Sequence, residues 1–245
     1  MASREVSADF FAGLGFQYDR YTDIKDDFLS SGGDTASSYN YKYSKEHGFS
    51  PTNYTTSGLC LNLIFDNRDN SIDTYKGYYA NVNYQVNTTA LGSTKNSSVM
   101  MVDYRAFYSL DSLKKNILAV WFYGDFLTSG SVPYLDLPSI GHDPRQRTGR
   151  GYTFGRFRGE DLAYLETEYR FPFSQVTGIL GGVVFVNLTT TTDKENHIYL
   201  MDDIRGAYGC GLRVMLDKKS RTRLELDAAS GQNTLGFYLN VQEAF

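Results

Sequence analysis

Hydrophobic and polar side chains alternate along most of the chain with a period of two. Val6, Ala8, Phe10, Ala12, Leu14, Phe16 and Tyr18 are interleaved with Ser7, Asp9, Gly13, Gly15, Gln17 and Asp19. Successive side chains of a strand point to opposite faces, so this stretch predicts a first strand with one apolar and one polar face. The pattern recurs nine times, over 59–65, 78–86, 100–108, 118–126, 165–171, 180–188, 208–216, 221–227 and 237–245. In the second half the polar row is charged. Glu166, Glu168 and Arg170 oppose Leu165, Thr167, Tyr169 and Phe171; Arg205 and Arg213 oppose Tyr208, Leu212, Val214 and Leu216; Arg221, Arg223, Glu225 and Asp227 oppose Leu224 and Leu226. Most of the ten predicted strands have about the 9–11 residues that cross a bilayer at a tilt.

The connections alternate in length. A long polar loop (20–53) is followed by a short turn (70–74), a medium loop (88–96), a tight turn (111–115) and a long excursion (128–161). The rest run short (172–175), long (189–203), short (217–220) and medium (230–234). Short turns at one end and long loops at the other are the asymmetry of outer-membrane barrels, whose short turns are periplasmic. The expected fold is therefore all-β: a transmembrane, antiparallel, up-and-down β-barrel of about ten strands. Twelve result if Tyr39, Tyr41 and Tyr43, which also alternate with polar residues, form a further hairpin rather than extend a strand. An even number puts both termini on the periplasmic side, with Phe245 closing the last apolar row at the membrane edge. A soluble barrel or sandwich also alternates, but keeps its polar face outside. Charged rows of both signs on strand after strand favour a small barrel whose lumen pairs these ions, with closure removing exposed edges.

Composition narrows the classes. Of 245 residues 15% are aromatic and 41% hydrophobic, too many for an intrinsically disordered chain. The longest apolar run, 178–186, is far short of the ~20 residues of a membrane-spanning helix. A net charge of −4 gives no basic footprint for nucleic acid. Cys60 and Cys210 fall on non-neighbouring strands and opposite faces, which disfavours a disulfide, and no Cys-x-x-Cys or zinc cluster exists. No metal or cofactor is expected. The chain opens without a secretory leader, so it reads as either cytosolic or a mature form without its signal peptide; the strands favour the second. His47, His142 and His197 all fall in long loops. His142-Asp143 near Ser139 lacks the rigid support that nucleophilic catalysis needs, and there is no Gly-x-Ser-x-Gly elbow or phosphate loop. The chain is not expected to be an enzyme.

One loop carries a more specific signal. The run Thr148-Gly149-Arg150-Gly151-Tyr152, continuing through Arg156 and Arg158, leads into Glu166-Thr167-Glu168-Tyr169-Arg170-Phe171-Pro172. Two other stretches are Asp66-Asn67-Arg68-Asp69 with Lys76-Gly77-Tyr78, and the terminal 236–245. In this order they resemble the bacterial surface-antigen family, the C-terminal barrel of outer-membrane assembly factors of the BamA and TamA type. The resemblance covers 57–245 well. It implies an outer-membrane location, contact with outer-membrane lipid, and help in inserting or translocating outer-membrane proteins, with unfolded clients or periplasmic accessory proteins as partners. It also implies a terminal-strand signal in Phe237, Val241 and Phe245. The alternative is a small structural or channel-type barrel with a plugged lumen and no insertase activity.

Flanking glycines let the backbone at Arg150 fold tightly, and an Arg in a charged lumen seeks a bidentate carboxylate. Glu166 and Glu168 are the candidates. In the family the loop arginine docks on the inner barrel wall, and an acid on the following strand is a common partner. Here Asn187 stands in that place, which leaves Glu166 or Glu168 as the preferred partner. Asp66 and Arg68 read as hairpin-closing residues. Arg205, Arg213, Arg221, Arg223, Glu225 and Asp227 read as lumen ion pairs. Family members have sixteen strands and periplasmic POTRA domains; this chain corresponds to the last ten strands alone and is expected to be one barrel domain, 1–245. Gly13 and Gly15 weaken the first strand beside the seam between first and last strands.

Overall fold

The computed structural model describes residues 2–35, 38–112, 116–174, 176–194 and 196–245. Within these, eleven strands form one antiparallel sheet in strict chain order. They are β1 (Ala2–Ser7), β2 (Phe10–Tyr21), β3 (Tyr54–Asp66), β4 (Gly77–Asn87), β5 (Ser97–Ser109), β6 (Ile117–Gly130), β7 (Asp161–Pro172), β8 (Leu180–Thr191), β9 (Ile204–Asp217), β10 (Thr222–Gly231) and β11 (Thr234–Val241). The up-and-down order and the loop rhythm match the sequence pattern. Parts of two expected short turns, 113–115 and 175, lie outside the described residues.

The extra strand comes from the N-terminal alternation. It reads as one strand but breaks at Asp9, whose φ of 64° is left-handed, a conformation Asp tolerates better than most residues. Ser7 then pairs with Phe10 and Ala2 with Leu14. The chain therefore starts part-way up the wall, not at the short-turn end, and Val6 belongs to β1. Gly13 has a use here: a Cβ on it would sit 2.8 Å from Ser3 Cβ on β1.

Leu14, Phe16, Leu59, Leu61, Val184, Val186, Phe237 and Leu239 are all exposed on the outer face, the composition of a lipid-facing surface. The inner face buries polar and charged residues together with an apolar cluster of Trp121, Tyr123, Tyr164, Ile140, Tyr152 and Phe245. The sheet is curled. At the short-turn end, residues 67–76 cross the lumen and meet the β9–β10 turn, where Arg221 donates to Asp69 (2.9 Å) and Arg223 to Asp73 (2.7 Å). Arg221 and Arg223 thus hold the base. Arg205 differs from the expected lumen pairing: it bonds Asp203 at the long-loop end, and its side chain is 37% exposed. Asp66 and Arg68 pair with each other at the start of their turn (2.7 Å). Both cysteines are free, Cys60 buried and Cys210 exposed.

Tyr39, Tyr41 and Tyr43 form neither a strand extension nor a hairpin. They lie in a helix, α2 (Tyr39–Glu46), which follows a short α1 (Asp27–Ser30). Ser38 caps α2 by accepting from Tyr41 N (3.1 Å). Tyr43 and His47, four residues apart on one face, stack at 3.9 Å. Three alternating residues are too few to separate period two from helical spacing.

Candidate functional site: a buried arginine in the lumen and a free sheet edge

The loop between β6 and β7 folds into the barrel around its own hydrogen bonds. Asp143 accepts from the backbone N–H groups of Arg147 (2.9 Å) and Thr148 (2.8 Å) and from the Thr148 hydroxyl (2.7 Å). Thr148 Oγ1 in turn accepts from Gly141 N (2.8 Å). The knot presents Arg150 between Gly149 and Gly151, both with positive φ (83° and 98°). A Cβ on Gly151 would lie 2.8 Å from Ala207 Cβ on β9, so the loop backbone rests directly on the wall.

Arg150 is buried and reaches three carboxylates. Its Nε and Nη2 donate to Glu166 (3.2 and 2.6 Å), Nη2 also donates to Glu168, and Nη1 donates to Asp227 (2.8 Å). Its guanidinium lies 3.6 Å from the centre of the Phe185 ring. Both preferred carboxylates are engaged, and a third comes from β10. Strand register assembles the group. Glu166 lies opposite Asn187 on β8, and Asp227 opposite Gly211 on β9, where any side chain would collide with its carboxylate. Asn187 donates to the Arg150 carbonyl (2.9 Å) and approaches Glu166 (3.4 Å). The amide serves a backbone acceptor, which a carboxylate in that place could not do. Burial alone disfavours the charge on Arg150, but Glu166, Glu168 and Asp227 outweigh it and hold the guanidinium protonated well above its ordinary range.

The neighbours of Arg150 tie the loop to the edge strand. Gly151 N donates to the Tyr238 hydroxyl (2.8 Å), and Thr234 Oγ1 donates to the Gly151 carbonyl; both partners are on β11. The Tyr152 hydroxyl donates to Gly206 O (2.6 Å) and accepts from Gln232 N (3.2 Å). Arg156 and Arg158, the other two arginines of the motif, lie apart from this cluster, whereas Arg147 reaches the buried Glu225 (3.8 Å). Arg158 donates to the carbonyls of Tyr134 (2.7 Å) and Leu135 (3.0 Å). Arg156 is exposed, its guanidinium 5.5 Å from the centre of the Tyr152 ring.

A second set of ion pairs continues toward the base, and part of it was not expected. Arg170 pairs with Glu168 (2.6 Å), Arg213 with Asp227 (2.5 Å), and Glu243 joins Arg213 (2.8 Å) and Arg170 (3.7 Å). Burial works against ionisation of Glu243, but Arg213, Arg170 and Arg223 dominate and hold its carboxyl well below the usual range. Phe237 and Val241 face outward as expected, whereas Phe245 does not close that row. The chain leaves β11 at Gln242 (φ 90°) and turns into the lumen, where Phe245 packs 5.2 Å from Trp121. Glu243 is the cause. It shares parity with Phe237, Leu239 and Val241, so a continued strand would put a carboxylate into lipid. That parity was the available signal for the inward turn.

β1 and β11 do not pair among the described residues. One edge of β11 is free, and β1 covers only Phe10 to Leu14 of β2. The network and this edge adjoin each other through Tyr238 and Thr234.

The sequence profile of the Omp85 superfamily domain matches residues 3–245. No curated protein matches. Among solved structures, the fold is similar to that of BamA from Haemophilus ducreyi lacking POTRA domains 1–3, with a TM-score of 0.69 and 14% identity. The match covers 96% of this chain and 51% of that one, so the chain spans about half of that structure's length.

Proposed function

The chain belongs to the Omp85 superfamily, and from that premise we propose that it lies in the bacterial outer membrane and assists insertion or translocation of outer-membrane proteins. Barrels of this family are insertion and transport factors, not enzymes. The reading rests on the free edge of β11. Unpaired strand N–H and C=O groups have no water to bond inside a bilayer, so an open edge there demands an occupant. β1 and β11 are both odd in an up-and-down order and run in the same direction, so they cannot close on each other antiparallel. A strand of an unfolded client, running the other way, can add to β11 by backbone pairing. The Arg150 loop supports this edge from inside through Gly151, Tyr238 and Thr234. The outward row with Phe237 and Val241 contacts outer-membrane lipid, and periplasmic accessory proteins are the further partners.

The test is folding of an unfolded outer-membrane protein into liposomes, with and without the barrel, with Arg150→Ala as control. The expected result is acceleration by the wild type that weakens in the variant. A barrel shown to be folded that leaves the rate unchanged would refute the reading and mark a plugged structural barrel.

A further inference from the structure

The lumen has a second compartment that the arginine loop does not fill. A cavity of about 540 Å³ lies between β2–β6 and the underside of the β6–β7 loop. Where the other half of the lumen is dense in ion pairs, this wall presents uncharged amides, among them Gln17, Asn83, Gln85 and Asn87. Three carboxylates enter it from three separate elements: Asp19 from β2, Asp125 from β6 and Asp136 from the loop. No lysine or arginine is among the described lining residues. Burial also keeps the His142 imidazole, on the rim, below its ordinary pKa, so it adds no positive charge at neutral pH.

Asp19 accepts from the Gln17 side-chain amide (2.6 Å), but Asp125 and Asp136 each keep one oxygen unpartnered. Asp136 Oδ1 accepts from the Tyr54 hydroxyl (3.1 Å), but its Oδ2 is buried without a hydrogen-bond partner. Asp125 Oδ1 is likewise buried and unpartnered. Anionic oxygens removed from water are costly unless a cation or donor meets them. Arg158, the cation whose charge reaches Asp136, spends its hydrogen bonds on the carbonyls of Tyr134 and Leu135.

We propose that this compartment is a binding site for an aliphatic polyamine, whose ammonium groups would be met by Asp125 and Asp136, with Asp19 toward the opening. The shape argues against a bare metal ion: no three His, Cys, Asp or Glu side chains among the described residues converge as a cage. The cavity also greatly exceeds the ~30 Å³ of one water. Carboxylates from separate elements suit an extended molecule with several spaced charges, and Tyr21 and Tyr123 add aromatic surface to the lining. A neutral sugar would use the amides but leave the carboxylates uncompensated.

The experiment is titration calorimetry of the folded barrel in detergent with spermidine, beside magnesium chloride and maltose as separate probes. The expected result is one spermidine per barrel, weakened about tenfold by Asp136→Asn and by Asp125→Asn. Heat-modifiable migration on gels confirms that each variant is folded. If Asp125→Asn does not fold, Asp136→Asn on the loop decides alone. No binding by the wild type, unchanged affinity in the folded variants, or equal binding of magnesium or maltose would overturn the proposal. It does not rest on insertase activity, so either reading can fail while the other stands.

Discussion

Replacing Arg150 with alanine would remove a cation shared by three buried carboxylates, leaving Glu166 with no cationic partner among the described residues and Glu168 and Asp227 with Arg170 and Arg213 alone. Glu166, Glu168 and Asp227 have side chains no more than 1% exposed, and all three receive N–H donors from this one guanidinium. Removing one partner of a buried ion pair costs about 3–5 kcal/mol, whereas deleting a surface pair costs about 0–1 kcal/mol. Loss of the ring contact with Phe185 acts in the same direction. We therefore expect Arg150→Ala to lower stability by about 3–5 kcal/mol. Arg150→Lys keeps the charge but loses the planar fork, and should cost less. The diagnostic variant is the double, Arg150→Ala with Glu166→Gln. If stranded charge is the cause, neutralising one carboxylate restores part of the lost stability. The assay is urea unfolding in detergent, followed by the fluorescence of Trp121, the only tryptophan. A loss below about 1 kcal/mol, or a double variant no more stable than the single, would refute the reasoning.

Asn187→Asp should destabilise by about 2 kcal/mol, because it exchanges a donor to the Arg150 carbonyl for an oxygen near Glu166; the same unfolding assay measures it. Phe245→Ala should red-shift Trp121 emission and raise its quenching by acrylamide, since the terminal ring covers the indole at 5.2 Å; unchanged emission would place the tail elsewhere. Asp73 in the base turn gives a pH test. Burial, reinforced by Glu243 and opposed by Arg223, raises its pKa to about 6, above the unfolded value of about 3.9. The folded state then binds this proton first as pH falls, so Asp73 contributes more stability at pH 4 than at pH 7, the gain being lost as pH rises through 6. The stability difference between wild type and Asp73→Asn should therefore shift toward the wild type between pH 7 and pH 4, and a difference flat with pH would contradict it.

Much of the inner wall was legible because parity alone fixes which side chains face in. Glu166, Glu168, Arg170, Arg213 and Glu225 share the polar rows of the sequence, and all are buried. Arg150 was legible through its two glycines and the motif around it. Its third partner was not, because Asp227 lies 77 residues away and meets it only through the curl of the sheet. The N-terminal hairpin escaped notice because Ala8-Asp9 does not interrupt the alternation; a single left-handed residue turns the chain. Tyr39, Tyr41 and Tyr43 misled for the opposite reason, fitting period two while belonging to a helix set by the Ser38 cap. At the C-terminus an acid in an apolar row was the informative conflict, and Glu243 resolves it by drawing the last residues inward.

The most direct test of the account is whether a client strand occupies the free edge of β11. In a Cys60→Ser, Cys210→Ser background, Asn240→Cys places a thiol on the inward row of that strand. A client carrying single cysteines along its last strand is then added during insertion into liposomes. Directly opposed residues of an antiparallel pair have Cβ atoms about 4.5–5.5 Å apart, close enough for a disulfide to form. The account predicts cross-linking that peaks at one client position and falls at its immediate neighbours, which point to the other face. Equal cross-linking at all positions, or none while the folded barrel still accelerates insertion, would contradict it.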